Sequence, residues 1–114
     1  MIEFINLTSA SITIIAGGLT QTFPLTGMYV ECSVDYSIIG LLSNIPIYGL
    51  VYSAFNYVGT ITEFPEYTEG TIYIVTETVA KAMQGYGRSD IVYAANPVFD
   101  AGGVLTHYLG FSYA

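Results

Sequence analysis

Between residues 2 and 111 the chain is a succession of short segments rich in Ile, Val, Thr and Tyr, each closed off by Gly or Pro. β-Branched and aromatic residues at that density suit a pleated, half-buried surface, and the breaks leave no room for long helices. Residues 2–7 and 11–15 read as a first strand pair. Gly17-Gly18 then turns the chain into residues 19–23 as a hairpin. Residues 28–34 form a further strand candidate. The apolar run 38–42 fits a buried strand or a short helix, and periodicity alone does not separate the two. Residues 47–55 and 57–62 continue as strands, with Pro46 confined to a strand start or edge.

A helix is expected in one place. Residues 71–75 form a short apolar strand introduced by Gly70, and Thr76 follows as a cap for a helix over about 77–84, stopped by Gly85. Glu77 in the first turn and Lys81 four residues on match the helix dipole and an i,i+4 pair. Val79, Ala80 and Met83 supply its buried stripe. Beyond it lie residues 91–95, an Asn96-Pro97 turn, the turn Asp100-Ala101-Gly102-Gly103 and a last strand over 104–111. The expected fold class is α+β, mostly β: an antiparallel or mixed sheet of short strands with one short helix. At 114 residues, a single domain over 1–114 is expected.

Composition narrows function by exclusion. Hydrophobic residues make up 53% and charged ones 10%, against a usual quarter charged, which is incompatible with a disordered chain. With so little charge, Tyr, Thr, Ser and Asn must cover much of the exterior, and the 11 tyrosines suit that task. Such a surface also favours contact with copies of itself, so a homo-oligomer or a particle component is expected. The formal charge is −7, with Lys81 and Arg88 the only basic side chains. Phosphate backbones need several cations to displace their counterions, so no nucleic-acid partner is expected. Anionic membrane surfaces are disfavoured on the same ground.

Cys32 stands alone, which leaves no internal disulfide and no Cys-based zinc site. The opening Met1-Ile2-Glu3-Phe4 lacks the basic region of a secretory signal, so residence in a cytoplasm is expected. On that expectation the sequon Asn6-Leu7-Thr8 is a chance match. Residues 36–62 carry no charge and are long enough to span a bilayer. Asn44, Pro46, Gly49, Ser53 and Asn56 interrupt them, and no basic residues flank them, so no membrane helix is expected.

Candidate chemistry is sparse. The single imidazole, His107, alternates onto the face of Leu105 and Leu109, and reads as a partly buried strand histidine bonded to backbone. No hydrolase, zinc-protease, dithiol or nucleotide-loop motif is present in the sequence. Glu63, Glu66 and Glu69 recur at three-residue spacing, and converging carboxylates can hold a divalent cation or run acid/base chemistry. Pro65 and Gly70 instead make this a solvated acidic loop, so no metal or cofactor is expected. Arg88 and Asp90 form the sharper pair, as a surface turn with a local ion pair or as an anion grip. On the second reading the ligand-binding set is Arg88, Asp90, Tyr86, Tyr73, Tyr67 and Glu69, and Tyr93 is a further ring able to stack on a base or sugar. One guanidinium suits a small anion, not a polymer.

Several segments, in order along the chain, resemble small uncharacterised proteins encoded by tailed phages and prophages. Asn6-Leu7-Thr8 resembles their Asn-Leu-Thr opening, and Ile45-Pro46-Ile47 their central strand entry. Phe64-Pro65-Glu66-Tyr67-Thr68-Glu69-Gly70-Thr71-Ile72-Tyr73-Ile74-Val75-Thr76 is similar to their Leu-Pro, acidic-Gly, Tyr-Ile-Val-Ser segment. Arg88-Ser89-Asp90-Ile91 resembles their Arg-x-Asp element, and Ala101-Gly102-Gly103-Val104 their final Gly turn. Ser9-Ala10 stands where those proteins usually have Pro-His, so no role of that histidine carries over. The resemblance implies a viral or mobile-element origin and no established activity.

The expected function is that of a non-enzymatic, virus-encoded binding protein, homo-oligomeric, sequestering a small anionic or nucleotide ligand of host defence signalling in the host cytoplasm. A virion structural or assembly component is the alternative. A third reading is an enzyme using Glu66 or Glu69 with Arg88 on a phosphorylated metabolite.

Overall fold

The computed structural model describes residues 2–114. Ten strands and one short helix follow one another: β1 (Glu3–Asn6), β2 (Ile12–Ala16), β3 (Leu19–Phe23), β4 (Tyr29–Glu31), β5 (Val34–Leu42), β6 (Ile45–Tyr52), β7 (Asn56–Val58), β8 (Thr71–Val75), α1 (Glu77–Ala82), β9 (Ile91–Phe99) and β10 (Leu105–Tyr113). The architecture is α+β and mostly β, as the sequence predicts.

A mixed six-stranded sheet in the order β1-β8-β9-β10-β2-β3 organises the fold. Strand β8 lies between β1 and β9 and runs parallel to both, whereas β10 is antiparallel to β9 and parallel to β2. The Thr-Ile-Tyr-Ile-Val run of β8 explains its place inside the sheet, flanked on both sides. Tyr73 and Val75 are buried on one face and Ile74 on the other, so both sides of the strand must be covered.

Each face carries its own core. Leu7, Val30, Tyr73, Val75 and Ile91 pack under α1, which buries Val79 and Ala80, and under Met83 at its C-terminal cap. On the opposite face Ile74 and Val92 meet Ile12 and Phe23. There the rings of Phe4, Phe23 and Phe111 contact one another at centroid distances of 5.0–5.6 Å.

The hairpin across Gly17-Gly18 forms as expected, joining β2 to β3 in antiparallel register. The expected pairing of residues 2–7 with 11–15 does not, because β1 pairs β8 and β2 pairs β10. Asn6 is the cause. Its Nδ2 donates to Ala10 O at 2.9 Å and Phe23 O at 3.0 Å, and its Oδ1 accepts from Thr8 N at 2.9 Å and Thr8 Oγ1 at 2.7 Å. This bracket bends the chain away from a tight hairpin, so β1 and β2 enter the sheet on opposite sides of β8. Asn6 is 2% exposed. The sequon therefore codes for a buried turn.

Thr76 caps α1 as expected, its Oγ1 accepting from Val79 N at 3.4 Å. The stop differs. After Ala82 the chain tightens into a 3-10 turn over Gln84–Tyr86, and Gly87, not Gly85, takes the left-handed conformation at φ 68°. Glu77 and Lys81 do not form the expected pair. The Lys81 ammonium lies 5.5 Å from the centroid of the Tyr93 ring, and the one ion pair among the described residues joins Arg88 to Asp90. A ring face partly shielded from water competes well with an exposed carboxylate for one ammonium. Asn96-Pro97 does not turn the chain. Strand β9 runs through it to Phe99, with Asn96 at φ 58° and Pro97 opposite Tyr108.

The run 38–42 is a strand, and it is not buried. It belongs to the hairpin of β5 and β6, a separate two-stranded sheet closed by Ser43 and Asn44 at φ 49° and 66°. Both turn residues with positive φ define the hairpin turn that matches strand twist. The hairpin and the short β4–β7 pair stand outside the main sheet. Extents of 55 × 39 × 23 Å and a radius of gyration of 16.5 Å follow, against about 13 Å for a compact chain of this length.

Candidate functional site

Arg88 and Asp90 are brought together on the segment entering β9. Arg88 Nε donates to Asp90 Oδ1 at 2.8 Å and Nη2 to Oδ2 at 2.7 Å, a bidentate fork on a carboxylate 1% exposed. That charge-assisted bond raises the guanidinium pKa further, outweighing the opposing effect of burial. The guanidinium plane also sits 5.2 Å from the centroid of Phe64, whose ring meets Tyr73 edge-on at 5.8 Å. Asp90 O accepts from Tyr73 N at 2.8 Å. The pair thereby clamps the loop before β8 to the start of β9.

The other members of the ligand set are spread out. Tyr73 is 6% exposed and belongs to the core under α1, so its ring cannot stack on a ligand from solvent. Tyr67 and Tyr86 are exposed at 59% and 63%. Tyr86 turns towards Phe55 at a centroid distance of 6.5 Å. Glu69 is exposed on the loop with Glu63 and Glu66. Among the described residues no three His, Cys, Asp or Glu side chains converge in a metal-holding group. His107 contacts the Thr106 hydroxyl through Nδ1 at 2.8 Å, so its partner is a side chain and not the backbone. A register shift between Leu105 and His107 also breaks the alternation that placed them on one face.

A larger concavity lies elsewhere. A groove of about 660 Å³ opens between the turn after β1, the end of β8 and the distal half of the β9–β10 hairpin. Ser11, Val75, Tyr93, Asn96, Phe99 and Tyr108 line it, and Glu77 is the sole ionisable carboxylate on its wall. Neither Arg88 nor Lys81 is part of that lining. Sequence reading missed the groove because its walls come from strands far apart in the chain.

The second feature missed is the hairpin of β5 and β6. Tyr36, Ile39, Leu41, Leu42, Ile45 and Leu50 are each 61–72% exposed. Ile38, Ile47, Tyr48, Val34 and Val51 add 39–54% each. Eleven large side chains exposed by about half present on the order of 1,000 Å² of apolar surface over the two faces, so each face by itself matches the largest patch of an ordinary monomer. Both faces take part, because neighbouring residues point to opposite sides. Tyr36 and Tyr48 stack at 5.6 Å on one face, while Gly49 lies beneath Ile39 on the other. Ser43-Asn44 between two apolar runs was the available signal. No helix among the described residues is long and apolar enough to cross a membrane.

No family model, curated protein or solved structure matches this chain.

Proposed function

We propose that this chain is a non-enzymatic, virus-encoded protein that works by self-association, as a component of a virion or of its assembly. The β5–β6 hairpin carries the reading. A two-stranded hairpin with both faces in water is marginal by itself and needs a packed partner. Its exposed apolar area, on the order of 1,000 Å² summed over the two faces, reaches the roughly 800 Å² per partner of a stable interface when both faces are covered. Both strands are also sheet edges with unpaired backbone groups, protected only by Pro46. The occupant that fits is a second copy of the chain. Asp35 is the sole charge in the hairpin, and at −7 overall an anionic lipid surface would repel the molecule. The viral origin rests on the resemblance described above.

Light scattering on the eluting protein and native mass spectrometry test this reading. The wild type should run as a multimer, and Leu42→Asp with Ile45→Asp should yield a folded monomer. A wild type monomeric at tens of micromolar would sink it.

A second reading, sequestration of a small ligand in the host cytoplasm, is favoured by the groove, whose volume suits a drug-sized molecule. A nucleotide-sized anion needs both a concavity and cations. Here the groove and the Arg88 guanidinium lie apart, and two guanidinium nitrogens are spent on Asp90. For that reason self-association leads. A ligand mass retained on the protein purified from cells would reverse the order.

A further inference from the structure

Resting on the self-association reading, we infer that the hairpin tip of one copy seats in the groove of the next, so that copies join head to tail. The chain carries two separate unpartnered apolar surfaces. One is the β5–β6 hairpin, and the other is the distal β9–β10 hairpin, where Phe99, Val104, Leu105 and Leu109 are 43–63% exposed. Phe99 and Leu105 from that second surface also line the groove. A two-fold contact between identical hairpins covers the first surface and leaves the second in water. A heterologous contact covers the hairpin tip together with Phe99 and Leu105, and head-to-tail contacts of this kind close into rings or run on as filaments.

Shape and charge agree with this seat. The tip residues Leu41, Leu42 and Ile45 are each 65–66% exposed. Ser43 and Asn44 at the turn offer hydroxyl and amide groups to a groove that holds Ser11, Thr76 and Asn96 among its apolar walls. The tip carries no charge and the groove only Glu77, so docking desolvates almost no ionic group. A cavity of about 660 Å³ accommodates a few aliphatic side chains entering between strands.

Two complementary defects test it. A hairpin-blunted chain, Leu42→Asp with Ile45→Asp, keeps its groove. A groove-blocked chain, Ser11→Arg with Ala95→Arg, keeps its hairpin. Each should be monomeric alone, and their mixture should give a dimer of one copy each that grows no further. A groove-blocked chain that retains the wild-type mass would overturn the inference while leaving the hairpin's role intact. So would a mixture that stays monomeric, since the hairpins would then need each other. A blunted chain that still assembles would sink the self-association reading itself. Because two arginines could disturb the fold, a gentler pair repeats the test in a Cys32→Ala background. Chains carrying only Leu42→Cys, mixed with chains carrying only Ser11→Cys, should form a mixed disulfide on mild oxidation. Cross-linking confined to pairs of Leu42→Cys chains would overturn the head-to-tail seat. Capture of the wild type on neutral phospholipid vesicles, lost in the blunted chain, would assign the tip to a membrane and overturn it as well.

Discussion

Arg88 grips Asp90 with two parallel N–H···O bonds of 2.8 and 2.7 Å, and it does so with the carboxylate 1% exposed and the guanidinium side chain 20% exposed. The asymmetry decides what each substitution does. Arg88→Ala strands a buried carboxylate and should cost about 3 kcal/mol or more, whereas Arg88→Met with Asp90→Leu removes both charges and should recover much of that loss. Urea unfolding of Arg88→Met, Asp90→Leu and the double variant measures the coupling. Additive losses would show that the pair does not act as a unit.

Asn6 holds four polar partners in the turn between β1 and β2. Asn6→Ala takes the side-chain partner from Thr8 N and Phe23 O, while the Thr8 hydroxyl keeps Ala10 O at 2.9 Å, and should cost about 2 kcal/mol. Asn6→Asp should be no milder at neutral pH, because it sets a carboxylate oxygen against the carbonyls of Ala10 and Phe23. An Asn6→Asp chain as stable as the wild type would show that the bracket does not matter.

Gly59 has φ +94°, and a Cβ built there would lie 2.5 Å from Gly27 O and 3.0 Å from Met28 Cα. Gly59→Ala should therefore cost roughly 2 kcal/mol or more from backbone strain and collision together. Gly49→Ala meets only the exposed Ile39 side chain, at 2.6 Å from Cδ1 and 3.3 Å from Cγ1, and should cost about 1 kcal/mol. Thermal unfolding ranks the two, and a reversed order would contradict the geometry.

Burial pushes the Tyr57 phenol above its ordinary value of 10.0, against a smaller opposing effect from the Phe64 backbone. A folded-state pKa above the unfolded one favours the protonated form. The contribution is thus fully present below pH 10 and is lost as pH rises through the folded value. Tyr57→Phe should leave the pH dependence of stability unchanged up to about pH 9 and flatten its decline above about pH 10. Urea midpoints across that interval for both chains provide the check.

Local signals were legible where a short stretch decided the outcome. Thr76 as a cap, the stripe of Val79, Ala80 and Met83, and the Gly17-Gly18 turn all appear as the sequence implies. Asp100 also closes its turn, with Oδ1 accepting from Gly102 N and Val104 N at 2.8 and 3.0 Å. Capping and turn geometry in these places are settled within four or five residues, whereas Asn96-Pro97, a turn signal of the same kind, is overruled by its pairing with β10. The partner of β1 was not legible. Pairing two β-branched segments is equally good locally in several registers, and the Asn6 bracket together with the two-sided burial of β8 chose among them.

The candidate site divides the same way. Arg88 and Asp90 were recognisable as a pair from their spacing and from the scarcity of other charges. Whether the pair faces a ligand or seals a loop depended on the Phe64 ring and on how deeply Asp90 is buried, both products of packing. The groove could not be anticipated from any single segment.

By itself, the sequence determined a strand-rich α+β chain, poor in charge and rich in tyrosine, with one capped helix and two basic side chains. Those properties follow from composition and near-neighbour geometry. Only the tertiary structure decided that the apolar run 38–42 stands in water. Hydrophobicity says that a segment gains by burial, but not whether its own chain has a surface left to bury it. Here the two cores close without β5 and β6, so this apolar stretch is left exposed.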